Sequence, residues 1–190
     1  MTVGPNSDRG QLVVVAGPSG VGKSTVVRRI VELDPEVHLS VSATTRTKRE
    51  GEVDGIDYFF MNADDFAKLR EEGGFLESAQ FAGNSYGTPK REVEQRLDQG
   101  QIVLLEIELQ GVRQVKAALP EAMTVFVAPP SWDVLRERLS GRGTEDEATI
   151  ARRLEVAKTE LAAQSEFDQV VVNDSVDDAA RAIIALVCDT

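Results

Sequence analysis

An eight-residue stretch, Gly17-Pro18-Ser19-Gly20-Val21-Gly22-Lys23-Ser24, limits the architecture of this chain more than any other. It is a G-x-x-x-x-G-K-S pattern set between two segments of different periodicity. Ahead of it, Gln11 to Ala16 reads QLVVVA, a β-branched run of strand length. Behind it, Lys23 to Leu33 carries Val26, Val27, Ile30 and Val31 at helical intervals. Strand, glycine loop and helix in that order turn backbone N–H groups inward around an anion and add the positive end of a helix dipole. Lys23 is then expected to reach the β and γ phosphates of a nucleoside triphosphate and Ser24 to hold Mg²⁺, with the other loop residues and Thr25 lining the phosphates. The loop alone leaves the reaction open, because motors, switches and kinases share it.

The rest of the chain alternates in the same way. Ile102 to Leu105, Thr124 to Val127 and Val170 to Val172 are short apolar runs, each next to an amphipathic stretch. That alternation predicts an α/β fold with a parallel sheet covered by helices on both faces. Helix starts are signalled at Asn62, at Thr88 with Pro89 as first helical residue, and at Ser131 ahead of Trp132 to Leu139. Between Ser40 and Tyr86 the periodicity weakens, and Asp54-Gly55 between Val53 and Ile56 reads as a hairpin turn. The expected organisation is a tail over 1–10, a core of 11–39 and 89–190, a partly antiparallel insertion over 40–88, and a flap near 138–153. Within the flap, Gly141 to Glu147 is polar and has two glycines.

Composition excludes several function classes. With 190 residues and 42% apolar content, the chain reads as one globular domain, and no apolar run approaches the roughly 18 residues that span a bilayer. The polar opening lacks a secretory pattern, so the cytoplasm is the expected location. Acids outnumber bases 32 to 21, a net charge of −11 that argues against nucleic acid as a partner. Any bound polyanion must therefore meet a local cluster of positive charge, such as Arg46, Lys48 and Arg49, or Arg136, Arg138 and Arg142. The lone cysteine, Cys188, falls in an apolar last helix and reads as a buried structural residue.

From Ser40 the chain runs SVSATTRTKREGEVDGIDYFF, and from Gly74 GFLESAQFAGNSYGT; EIELQG follows at Glu106 to Gly111, RLSGRG at Arg138 to Gly143 and VND at Val172 to Asp174. Together with the glycine loop, these stretches resemble the guanylate kinase family over nearly the whole chain and in family order. The resemblance implies a P-loop core, a GMP-binding insertion and a lid, with ATP and GMP as substrates, ADP and GDP as products, and a role in purine metabolism. It places Arg46, Arg49, Tyr58 and Tyr86 at the GMP phosphate, and Ser42, Glu77, Thr88 and Glu108 at the guanine. Arg138 and Arg142 fall to ATP and the transferring phosphate, Arg153 is presented from the helix behind the lid, and Asn173 lies near the adenine.

The residue types suit those assignments. A monophosphate carries close to two negative charges, and two arginines three positions apart can grip it through forked hydrogen bonds. Guanine presents N1–H and N2–H donors and an O6 acceptor, so a carboxylate at Glu77 accepts and hydroxyls at Ser42 and Thr88 donate, whereas adenine would be mispaired. Taken singly, Glu77 reads as a solvated acid, Tyr58 and Tyr86 also as core aromatics, and Arg138 and Arg153 also as surface ion pairs. The attacking phosphate oxygen is already ionised, so no protein base is needed and His38 has no expected catalytic part. One departure stands out: the family usually has Asp-x-Asp where this chain has Glu106-Ile107-Glu108. Glu106, at the strand end, would still help organise Mg²⁺ through water. Two other readings remain open: a kinase of another phosphorylated small molecule, and a non-catalytic interaction module on the same scaffold. The chain is expected to be a monomer or homo-oligomer.

Overall fold

A computed structural model describes residues 9–140 and 147–188. Most of the expected tail, most of the Gly141 to Glu147 segment with Arg142, and the Cys188 side chain lie outside the described part. Strand β1 (Leu12–Ala16) feeds the glycine loop and helix α1 (Lys23–Leu33), followed by the short strand β2 (Val37–Leu39). Next come β3 (Ala43–Thr44), β4 (Phe59–Phe60), α2 (Ala63–Glu71), β5 (Phe75–Phe81) and β6 (Asn84–Pro89). The chain then alternates through α3 (Lys90–Asp98), β7 (Ile102–Glu106), α4 (Leu109–Ala118), β8 (Met123–Ala128) and α5 (Trp132–Ser140). It finishes with α6 (Glu147–Ala162), β9 (Gln169–Val172) and α7 (Val176–Cys188).

The first sheet is five-stranded and parallel, in the order β2-β7-β1-β8-β9. All five residues of β1 are buried, which is why its sequence shows an unbroken apolar run instead of alternation. Val13 and Val15 face α1 and α7, meeting Val26, Val27, Ile30, Ala180 and Ile183. Leu12, Val14 and Ala16 face the opposite side, with Val93 and Leu97 of α3 and Val112 and Val115 of α4. The three layers expected from periodicity are therefore present. Each strand's alternate residues supply two separate cores. No helix among the described residues is long and apolar enough to cross a membrane.

The second sheet has four strands in the order β4-β3-β6-β5, with β3 pairing parallel to β4 and antiparallel to β6. Helix α2, capped by Asn62 accepting from the Asp65 N–H at 2.8 Å, covers it by stacking Phe66 on Phe75. The hairpin expected at Asp54-Gly55 is not there. Asp57 accepts from the Val53 N–H at 2.7 Å and Asp54 from the Phe60 N–H at 2.9 Å, so this turn is closed by its own side chains and leads into a strand parallel to the one before it. The hairpin joins β5 to β6 through Ala82-Gly83, with φ of 48° and 80°. Both turn residues are left-handed, the geometry that matches strand twist. The sequence Ala-Gly hides this turn because alanine is not a usual left-handed residue. Likewise, β6 runs on to Pro89, so α3 begins at Lys90, one residue later than expected.

Replacing the exposed Ala82 with Asn, which tolerates a left-handed backbone, is expected to stabilise the protein by about 0.5–1 kcal/mol. Urea titration of Ala82→Asn against the parent, at constant m-value, measures this.

Candidate active site

The glycine loop crosses the carboxyl end of the parallel sheet. Gly22, at φ 96°, caps α1, and a Cβ there would meet Asn173 Nδ2 at 2.8 Å, so both its dihedral and its neighbour exclude a side chain. Lys23 is the first helical residue and only 9% exposed; its Nζ donates to the Gly17 carbonyl at 2.5 Å and lies 3.7 Å from Glu108 Oε1. Ser24 Oγ donates to Glu106 Oε1 at 2.6 Å, Glu106 being the last residue of β7 and level with Val15 of β1. A hydroxyl and a carboxylate meeting beside the phosphate loop form a hard-oxygen pair of the kind Mg²⁺ prefers, and the longer Glu reaches the serine.

Residues far along the chain hold the loop's shape. Asn173, 3% exposed, donates Nδ2 to the Val21 carbonyl at 2.8 Å, and its backbone N–H donates to the Ala128 carbonyl at 2.8 Å. Arg138 donates to the same Val21 carbonyl at 3.1 Å and to the Asn173 carbonyl at 3.3 Å. Arg138 thus bonds backbone carbonyls instead of surface acids. Arg153 Nη2 donates to Ser19 Oγ at 3.3 Å, and Glu160 on the same helix accepts from the Ser19 N–H at 3.0 Å. Burial pushes the Glu160 carboxyl above its ordinary range, with the Glu108 carboxylate adding to the shift and the Ser19 N–H and Lys23 opposing it. Pro18, Gly20 and Thr25 lie in the same loop and first turn, the Pro18 carbonyl accepting from the Val21 N–H at 3.1 Å.

The second cluster is built on the antiparallel sheet. Arg46 forms a two-pronged pair with Glu52, at 2.6 and 3.0 Å, and its guanidinium lies 5.3 Å from the Tyr58 ring and 5.8 Å from that of Phe60. Glu52 also accepts from the Arg49 N–H at 2.7 Å, leaving the Arg49 side chain exposed. The Arg46 hydrogen bond, then the Arg49 N–H, hold the Glu52 carboxyl down to about 2. Tyr58 and Tyr86 meet edge to face at 6.1 Å, and burial raises the Tyr58 hydroxyl pKa. Glu106 adds to that rise.

At the floor of the insertion, Glu77 is only 7% exposed and accepts from Thr88 Oγ1 at 2.8 Å, Thr88 itself being 1% exposed. Burial raises the Glu77 pKa, partly offset by the Thr88 hydroxyl and N–H. Ala43 pairs with Gly87, and continuing that antiparallel register puts Ser42 level with Thr88. Thr88 thus bonds Glu77 and Ser42 lies level with Thr88, whereas Glu108 caps α4 with its carboxylate 3.7 Å from Lys23. His38 is half-buried and bonds Glu92 at 2.6 Å, away from both clusters. Glu52 and Glu160 were not anticipated. Glu52, three residues after Arg49 in a glycine-flanked turn, carried a faint local signal; Glu160 carried none.

A parallel sheet whose central strand opens into such a loop, with the lysine and serine at its helix start, defines a P-loop nucleotide-binding protein. The comparisons name the branch: the chain belongs to the guanylate kinase family, whose profile matches residues 9–189. It is 57% identical to a guanylate kinase of Streptomyces coelicolor, over 96% of this chain and 92% of that one. It is 53% identical to one from Thermobifida fusca, over 96% and 93%. The crystal structure of a guanylate kinase from Anaplasma phagocytophilum superposes with a TM-score of 0.77 at 31% identity, covering 96% of this chain and 86% of that one.

A raised Glu77 pKa means that, above the ordinary carboxyl value of 4.5, the folded chain keeps a proton the unfolded chain has released. The associated stability is complete below that ordinary value and is lost as pH rises through the raised one. Glu77→Gln is therefore expected to melt at least as high as the parent at neutral pH, and to lack the parent's gain in Tm on acidification through that window. Thermal melts at stepped pH check both.

Proposed function

We propose that this protein is a guanylate kinase that transfers the γ-phosphate of ATP to GMP or dGMP, yielding ADP and GDP. The observation that carries the reading is the buried Glu77 carboxylate. Thr88 Oγ1 donates to it from β6, the strand whose Tyr86 ring meets Tyr58 beside Arg46, and helix α4, which follows Glu106 beside the phosphate loop, passes against it at Gly111. The family and the naming of its relatives point the same way.

On this reading Glu77 accepts from guanine N1–H and N2–H while Ser42 and Thr88 serve O6, so an adenine would leave buried groups unpaired. Arg46, already oriented by Glu52 and the Tyr58 ring, and Arg49 bind the GMP phosphate with Tyr58 and Tyr86. The loop amides of Gly17 to Thr25 and Lys23 bind the ATP phosphates, and Lys23, Arg153 and Arg142 offset charge as the phosphoryl group moves in line. Ser24 and Glu106 would hold Mg²⁺, which would supply charge neutralisation at the phosphates. Arg138 and Asn173 act at the ATP end by keeping the loop's shape. Glu108, next to Lys23, serves the phosphate end more directly than the guanine. The chain divides into a core of 11–39 and 89–190, a GMP-binding insertion of 40–88 and a lid near 138–153, whose closure excludes water. Purine nucleotide metabolism in the cytoplasm is the fitting setting. The intact Lys23, Ser24 and Glu106 set weighs against a non-catalytic interaction module.

A coupled assay offering ATP with GMP, dGMP, AMP, dTMP or a sugar phosphate is expected to give turnover with the guanine nucleotides at a rate at least about 100-fold above the others. Preference for any other acceptor refutes the assignment. Glu106→Gln is expected to raise the Mg²⁺ concentration for half-maximal rate by roughly tenfold, the effect of losing an outer partner of a metal. A Mg²⁺ titration at saturating nucleotide measures it.

A further inference from the structure

Helix α4 carries two residues that the reaction does not use and that both act on the strand bearing Glu77. Gly111 and Gln114, three apart, lie on one face of the helix. Gln114 Oε1 accepts from the Ser78 N–H at 3.0 Å, and its Nε2 donates to the Ser78 carbonyl at 3.1 Å. A side-chain amide thus does for β5 what a neighbouring strand would do, at the residue right after Glu77. Gly111 lacks the side chain that would otherwise fill the gap: a Cβ there would stand 2.8 Å from Glu77 Oε2 and 3.2 Å from its Cδ.

Glycine inside a helix costs helical propensity, so its presence in the first turn of α4 needs a reason. The crowding supplies one. The neighbour is not backbone but the tip of an acid, which could swing away if it were at the surface. Glu77 is buried and its other oxygen is held by Thr88, so it cannot retreat without lengthening that bond or tilting β5. The carboxylate is confined between the Thr88 hydroxyl and the bare backbone of α4. Because α4 starts at Leu109, capped by Glu108 two residues after Glu106, the same helix ties Glu77 to the phosphate loop.

We propose that the Gly111 and Gln114 face of α4 is a positioning surface that sets where the Glu77 carboxylate stands, and with it the affinity and selectivity for the guanine base. This rests on the assignment of GMP as acceptor. On this proposal Gly111 and Gln114 are positioning residues that act through Glu77 and the strand that carries it.

Gly111→Ala in the full chain is expected to raise the KM for GMP about tenfold, the scale of one weakened charge-assisted hydrogen bond, with the KM for ATP within about twofold of the parent. In a Glu77→Asp background, where the shorter acid clears the new methyl, the same substitution is expected to cost about threefold or less. Equal rises in both KM values, or a full tenfold cost in the Asp background, overturn the proposal. Should Gly111→Ala fail to fold, as judged by circular dichroism, Gln114→Ala decides. A selective rise in the GMP KM upholds the proposal and an unchanged one overturns it. A parent protein that does not phosphorylate GMP defeats the functional assignment and this inference together. A parent that does so with insensitive variants defeats this inference alone.

Discussion

A phosphate-binding loop works only if its amides are held in place, and here two distant side chains converge on one loop atom, the Val21 carbonyl. It accepts from Asn173 Nδ2 and from Arg138, and Arg138 in turn bonds the Asn173 carbonyl. Asn173 is itself fixed by its N–H to Ala128 at the end of β8. The loop after β1 is thus clamped by the ends of β8 and β9, so the register of the parallel sheet is transmitted directly to the loop. Rigid support of this kind lets preformed dipoles meet shifting charge without reorganising at the moment of reaction.

The two buried or half-buried acids of the insertion are handled in opposite ways. Glu52 is matched to Arg46 by a forked pair and falls to a pKa of about 2, so the pair is charged throughout the working range of pH. That pairing orients the guanidinium while the Tyr58 and Phe60 rings flank it. Glu77 has a hydroxyl and a backbone N–H for company, and burial pushes its pKa up. An acid in such surroundings weakens the fold and gains from a ligand that brings its own N–H donors. Stability is given up at Glu77 where recognition is required. The arginine is instead secured in advance.

The core was readable because its information is local or periodic. The run QLVVVA, the glycine pattern and the spaced apolar residues of α1 each report on their own backbone, and they emerge as β1, the loop and α1. The insertion was read less well. Its strands β3 and β4 have only two residues each, too short for a period to show, and Asp54-Gly55 looked like a hairpin because a self-closed aspartate turn uses the same residues. The actual hairpin turn, Ala82-Gly83, was hidden by an alanine that tertiary pairing holds at a positive φ.

By itself the sequence determined the phosphate loop, the alternation that builds a parallel sheet, and the residue types that suit a purine monophosphate, since these follow from covalent chemistry and short-range spacing. Only the tertiary structure decided which partners those residues have. Glu160 reaches Ser19 across 141 positions, Gln114 reaches Ser78 across 36, and Glu108 turns to Lys23. Contacts between residues that far apart leave no periodic trace in a single chain. They exist because packed layers bring the elements together, and that packing sets the position of each charge.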